Sequence, residues 1–427
     1  MREGSIHPAI SRHRLMALIV CYVVLFVSII RVVTYRQLYA DGSWYAMKAI
    51  TSHEKFILPN RFAVQWLEQI FAGNVFTNHF IDNSRYFILL LGFGYFIVPS
   101  LICFLIYSLL KEDKRNLQLH LVAASTAILL FGGMVGESAY TAMLVLLVSA
   151  LLVNGCTPWS YPTVFVLSVL LIGSYESMIF YGPYLLYVII KKVMVKEVES
   201  KSWLYLSVLA LIFSTAYQLY FVIYPDNPSN RSNASDIVSL LNFKSTKVYF
   251  LTFVLCIIMT AIFRKRILFV LSVTFFSIFI LLDIPMTQVS PKFQYSFRSV
   301  GSAIVLFILL YSQLKKPRIG ISFNGRRLFC TALILFSLLD ISASTGFNAY
   351  VAKVQQATSL GGIIPFEKIA ATTSENIRFS WAWSMPSLSF VLAQNENSGI
   401  VLNQFKPSWE PFDPHKALDH EGLFWFG

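Results

Sequence analysis

The sequence predicts an all-α polytopic membrane protein. Three observations carry that expectation. The 427 residues are 56% hydrophobic and 13% charged, with a mean hydropathy of +0.62, whereas a soluble chain carries about a quarter charged residues. Apolar runs near the length that a bilayer-crossing helix needs recur along the chain, giving about eleven spans. Lys and Arg gather in the short segments between alternate runs, as loops on the cytoplasmic side do.

The first run, 15–34, follows Arg2, Arg12 and Arg14. It is too long for a signal-peptide core and has no small-residue cleavage pattern after it, so it is read as a retained first span. A polar stretch, 35–85, follows, and 86–110 is the second span. Runs 119–134 and 139–153 form a tight hairpin, and 163–175 and 178–190 a second; each member is short, which leaves re-entrant or steeply packed segments open as alternatives to full spans. Runs 203–223, 248–263, 267–282, 299–314 and 328–343 complete the count.

With the N-terminus inside, the inner loops hold Lys111, Lys114 and Arg115; Lys191, Lys192, Lys196 and Lys201; Arg264, Lys265 and Arg266; and Lys315, Lys316, Arg318, Arg326 and Arg327. The outer segments hold most of the acids, including Asp41, Glu54, Glu68, Glu137, Glu176 and Asp283. An odd number of spans then puts 344–427 outside. The chain divides into a transmembrane unit, 1–343, with an outward first loop, 35–85, and an outward C-terminal region, 344–427. That tail is rich in Ser, Asn and Gln, carries Trp381, Trp383, Trp409 and Trp425, and is broken by Pro365, Pro386, Pro407, Pro411 and Pro414. Within it, 387–392 alternates as a strand does.

Composition also excludes classes. The net charge of +12 is accounted for by cytoplasmic loops, and no nucleic-acid-binding pattern is present. Cys21, Cys103, Cys156, Cys256 and Cys330 fall in or beside apolar runs, so neither a disulfide framework nor a zinc spacing is expected. A phosphate-cradling Gly-rich loop, a dinucleotide fingerprint, a metalloprotease helix and a Gly-x-Ser-x-Gly elbow are all missing from the sequence. The acids stay near the outer ends of spans, unlike the midplane ion sites of transporters.

Asp41 is the leading candidate for chemistry. It follows the first span by a few residues, at the lipid–water boundary, where partial desolvation suits a general base. Gly42 allows a sharp turn, and Trp44 and Tyr45 suit an interfacial helix. The plain alternative is that Asp41 caps that helix. His53, Glu54 and Arg61 follow. Arg61, beside Asn60 on a Pro59 turn, has the fork to grip a phosphate, or else pairs with lipid headgroups or Glu68. Glu137 and Glu176 occupy the outer tips of the two hairpins, where acids face a cavity or partner unless they are exposed turn residues. Lys292 and Arg298, beside an aromatic-rich loop, offer further phosphate contacts, or snorkel to headgroups.

This layout resembles the GT-C superfamily of integral membrane glycosyltransferases: a first span, a long outward loop opening on an acid at Asp41, about ten more spans and an outward polar tail. It is most similar to bacterial and phage-encoded enzymes that glucosylate O-antigen. The resemblance implies a sugar, glucose by expectation, moved with inversion from a polyprenyl-phosphate donor to a lipopolysaccharide glycan on the periplasmic face of a bacterial inner membrane. It implies Asp41 as base or metal contact; read from their positions beside it, Glu137 and Glu176 are candidates for the catalytic group, and Arg61, His53, Glu54, Lys292 and Arg298 for contacts to the phosphate or sugar. Many members carry a paired acid in the first loop; Gly42 stands there here, so no cofactor is demanded and a divalent metal stays open. An O-antigen polymerase or ligase would place its large polar loop late in the chain. A lipid-linked sugar transporter would place charge at the midplane, and a non-catalytic scaffold would tolerate loss of the outer acids.

Overall fold

A computed structural model describes residues 12–39, 41–52, 57–72, 84–131, 137–154, 159–194, 201–224, 244–262, 291–313, 323–359, 363–365, 385–392 and 400–402. Helices make up nearly all of them, and the chain is an all-α membrane protein. Among the described residues, five helices are long and apolar enough to cross a bilayer, and three shorter ones are apolar.

Helix α1, Arg12–Val33, buries one stripe, Ala17, Val20, Val24, Val27 and Arg31, and leaves Tyr22, Phe26, Ile29 and Val33 outside. A left-handed residue, Tyr35 (φ 57°), ends it and starts a 3-10 turn, Arg36–Leu38. Two helices of the first polar stretch follow, α2 (Asp41–Ser52) and α3 (Phe62–Glu68), the latter led by a 3-10 turn, Pro59–Arg61. Helix α4, Ser84–Gly92, runs through a π-helical segment, Phe93–Ile97, into α5, Val98–Leu110. The seam between α1 and α5 is closed by small residues: the hydroxyls of Ser28 and Ser100 lie 2.7 Å apart, and the Cys21 thiol donates to the Cys103 carbonyl. Close approach through small side chains is the usual device where lipid removes the hydrophobic drive.

Asp113 caps α6, Lys114–Phe131, by accepting from the Arg115 and Asn116 N–H groups. Next come α7 (Glu137–Asn154), α8 (Ser160–Leu170), α9 (Met178–Val193), α10 (Lys201–Ile223), α11 (Lys244–Ile262) and α12 (Pro291–Ser312). Helix α7 is buried on every side from Glu137 to Leu152 and forms the axis of the bundle, touching α5, α6, α8 and α9. At the end where α6 begins, Arg14 pairs with Glu112, Arg115 donates to the last carbonyls of α12 at Tyr311 and Ser312, and Lys191 donates to the Gln313 carbonyl. Cations there complement helix C-termini.

Ten of the eleven expected runs fall on described helices; 267–282 lies outside the described residues. Two expectations are corrected. The last run does not stop at 343: α13, Phe323–Thr358, continues for 36 residues, roughly 54 Å. Its polar second half keeps a helical stripe, Phe347, Tyr350, Val351 and Val354, that is buried. The segment 387–392 is not a strand but part of α14, Met385–Leu392. Pro386 suits a helix start, and Leu388, Val391 and Leu392 form one buried face. Among the described residues, the strands of the tail are β1, Ile363–Pro365, and β2, Ile400–Leu402, a short parallel pair with Ile363 opposite Ile400.

Two cores result. The larger runs through the helix bundle. The smaller joins Tyr39 and Tyr45 to Phe87, Ile88, Leu91 and Tyr95, to the Phe347–Val354 stripe and to α14. The first polar stretch and the tail, separated by the whole bundle in sequence, therefore pack on each other.

Candidate active site

At the end of the bundle where α1 finishes, three segments meet. The first is the Pro59–Arg61 turn with α3. The second is the start of α7, where Glu137 stands in the first turn and its charge suits the helix dipole. The third is the turn between α8 and α9, residues 171–177. Their backbones are stitched together. The N–H groups of Ala63 and Val64, unsatisfied at the start of α3, donate to the Gly173 carbonyl at 2.8 and 3.2 Å. A Cβ on Gly173 would stand 2.3 Å from the Phe62 ring, so glycine permits this approach. From α10, Gln218 donates to the carbonyls of Asn60 and Ile172, and Tyr217 to that of Pro59.

Arg61 is the hub. Its Nη1 donates to both oxygens of Glu137, at 3.2 and 3.1 Å, and its Nη2 to Glu176 Oε1 at 2.8 Å. Tyr45 and Gln65 also donate to Glu137 Oε1, at 3.0 and 2.9 Å. Gln65 is itself fixed by the Leu58 N–H. Asn60 reaches Glu176 Oε1 at 3.4 Å, and Arg61 lies over the Tyr175 ring. Burial alone lowers the Arg61 pKa, but Glu137, Glu176 and the two tyrosines outweigh it, so the guanidinium is held well above its ordinary value. Glu137 is fully buried, whereas the Glu176 side chain is 29% exposed and its Oε2 has no partner.

A third carboxyl sits below. Glu68, the last residue of α3, is fully buried, and among the described residues neither of its oxygens has a hydrogen-bond partner. Burial raises its pKa well above the ordinary 4.5, and the Glu137 charge adds to the rise while Arg61 opposes it. Glu68 is therefore biased toward its protonated form, as a carboxyl desolvated beside another carboxylate is. The π-helical segment makes room: a Cβ on Gly94 would fall 1.8 Å from the Glu68 carbonyl oxygen. The Tyr140 hydroxyl donates to the Gly94 carbonyl. π-insertions of this kind recur at functional sites.

Of the residues singled out from sequence, Arg61, Glu137 and Glu176 come together. Both terminal nitrogens of Arg61 are engaged by Glu137 and Glu176, rather than by Glu68, the carboxylate named for it from sequence. Asp41 opens α2, one turn before Tyr45. Lys292 and Arg298 belong to the backbone of α12. The side chains of all three lie outside the described residues, as do His53 and Glu54 entirely. Sequence reasoning took Glu68 as an outer acid and as one possible partner of Arg61, not as a buried carboxyl beside Glu137. Arg31 and Arg36 were missed, although Arg31 stands inside an apolar run, where a charge is a functional signal by default. Arg31 Nε donates to Asp340 of α13 at 2.8 Å, and Arg36 is buried between the rings of Tyr39 and Phe347.

Among the described residues, no group of three or more His, Cys, Asp or Glu is placed to hold a metal ion. The carboxyl cluster does not fit one either, since Arg61 stands between Glu137 and Glu176. Comparison of the chain with protein-family models, curated proteins and solved structures finds no match.

Proposed function

We propose that this chain is an inverting membrane glycosyltransferase of GT-C type. It would move a sugar, glucose by expectation, from a polyprenyl-phosphate donor to an O-antigen or lipopolysaccharide glycan on the periplasmic face of a bacterial inner membrane. One observation carries the reading. Arg61, Glu137, Glu176 and the desolvated carboxyl of Glu68 converge at one end of an apolar bundle, under the polar stretch that holds Asp41. Acids are expensive at membrane depth, and their clustering there marks a functional site.

In this reading Asp41 takes the proton of the acceptor hydroxyl. The hydroxyl oxygen bonds to the anomeric carbon as the bond to the phosphate oxygen breaks, and polyprenyl phosphate leaves. Glu176, partly exposed with one oxygen unpartnered, orients the acceptor by accepting from a sugar hydroxyl. Arg61 is a positioning residue that fixes Glu137 and Glu176 relative to α3. A lipid-linked sugar transporter is the second reading, favoured by the proton on Glu68; it would move its substrate without breaking a bond.

The test uses membranes carrying the full chain, glucosyl polyprenyl phosphate and a lipopolysaccharide acceptor. Asp41→Asn abolishes transfer at unchanged expression, and Glu176→Gln lowers it at least tenfold, about 1.4 kcal/mol of lost transition-state stabilisation. Full transfer in both variants removes the site from the reaction. Lipid translocation without transfer in the parent protein selects the transporter.

A further inference from the structure

The seam between α1 and α13 holds an excess of buried positive charge. Arg31 and Arg36 are 1% and 3% exposed, and Asp340 is the carboxylate that faces them. Arg31 spends Nε on Asp340 and Nη1 on the Ile128 carbonyl, but its Nη2 has no partner. Arg36 lies 4.5 Å over the Tyr39 ring and 5.6 Å from the Phe347 ring, and its buried Nε and Nη1 have no partner. Aromatic faces stabilise a cation but leave its N–H donors unmet. Among the described residues, three donors on two guanidiniums that share one carboxylate are unsatisfied, which calls for a second anion. Burial lowers the Arg36 pKa in the protein as it stands.

We propose that this seam is a binding site for the phosphate of a lipid headgroup, gripped by Arg31 and Arg36. A guanidinium pair offers the planar fork that phosphate oxygens accept. The lipid source follows from the surroundings. On either side of the seam α1 exposes Ile29 and Val33, and α13 exposes Ile334, Leu338 and Leu339, apolar surface along which a hydrocarbon chain can lie. Two lipids share the chemistry: a bulk anionic phospholipid, and the polyprenyl phosphate of the proposed donor. The second source rests on the glycosyltransferase reading; the first does not.

The experiment measures lipid retention by native mass spectrometry. The full chain, purified in detergent, is titrated in separate arms with undecaprenyl phosphate, dioleoylphosphatidylglycerol and inorganic phosphate. Both lipids, or undecaprenyl phosphate selectively, are expected to bind, and inorganic phosphate far more weakly. Selectivity assigns the site to the donor, and equal retention to structural phospholipid. Arg36→Gln is expected to weaken retention roughly tenfold to a hundredfold, the worth of hydrogen bonds to a charged group. Arg14→Gln, which removes a partly exposed cation paired with Glu112 at the far end of α1, leaves it unchanged. Retention by Arg36→Gln within twofold of the parent overturns the proposal, as does inorganic phosphate binding as tightly as the lipids. If Arg36→Gln fails to assemble, Asp340→Asn decides: removal of the competing carboxylate tightens retention, and unchanged or weaker retention overturns it. Because no sugar transfer is read, failed retention leaves the proposed reaction standing, and failed transfer leaves the lipid site standing.

Discussion

Replacing Glu68 by Gln separates a carboxyl that stores a proton from one that merely fills space. Glu68 is fully buried, has no hydrogen-bond partner on either oxygen, and faces Glu137. Its folded pKa is raised above the ordinary 4.5. Above that pH the unfolded chain has released the proton and the folded chain keeps it. Stability therefore falls as pH rises, by one proton, or about 1.4 kcal/mol per pH unit, until the folded group also ionises. Gln cannot titrate and closely matches the shape of the protonated acid. As pH rises above 4.5 the advantage of Glu68→Gln over the parent should thus grow, by at most about 1.4 kcal/mol per pH unit. Thermal unfolding of the detergent-purified proteins at pH 5, 6 and 7 reads this as a gap in Tm that widens with pH, the variant being higher. Parallel curves would mean that Glu68 does not bind an extra proton on folding. A variant less stable at every pH would mean that the carboxylate is ionised and paired in the native state. Either result would refute the reasoning.

Arg61→Gln should cost about 2–3 kcal/mol, below the 3–5 kcal/mol typical of a fully buried pair because Arg61 and Glu176 reach solvent. Thermal unfolding of the detergent-purified variant reads this as a lowered Tm; a Tm equal to that of the parent would argue against Arg61 as the counter-ion of the buried Glu137. Gly94→Ala should be worse than Gly92→Ala. The first places a Cβ 1.8 Å from the Glu68 backbone oxygen, whereas the second meets the far end of the Gln37 side chain at 2.7 Å. Overpacking of the first kind costs about 1–3 kcal/mol or more, and equal Tm losses in the two variants would contradict it.

The bundle was legible because helix length and apolarity are local properties. Helix α7, from Glu137, and the stretch Tyr86–Leu110 both lie where the apolar runs put them. Arg61, Glu137 and Glu176 were legible as acids and a cation beside helix ends. Their pairing was not, since it depends on Gly173 letting α3 settle against the 171–177 turn. Glu68 escaped for a related reason: nothing in Trp66-Leu67-Glu68 says that α3 ends against a π-helical glycine. The tail misled through composition. Polar residues after 343 suggested the end of a span, but helix propensity and the Phe347–Val354 stripe carry α13 on. In 387–392 a short apolar run fits periods of 2 and 3.6 almost equally, and packing on α2 selected the helix.

The two charge clusters are opposite in sign and are joined by a short length of chain. One gathers three carboxyls around Arg61; the other sets Arg31 and Arg36 against Asp340. Arg36 and Tyr45, which lead into them, stand nine residues apart, on either side of Asp41. A chain under selection for stability alone would match its buried charges or replace them by apolar side chains, which is often neutral or stabilising. Here the mismatch is kept twice. The raised pKa of Glu68 favours a proton there, which relieves the acidic cluster. The basic cluster has no such internal remedy, because a guanidinium does not release its proton readily. On the proposed reading an acceptor hydroxyl completes the first cluster and a lipid phosphate the second. Helix α2, anchored by α14 on one side and by the Tyr45–Glu137 hydrogen bond on the other, sets the distance between them. Loosening α14 should then disturb the spacing without touching either cluster, which makes the tail a positioning element of the site.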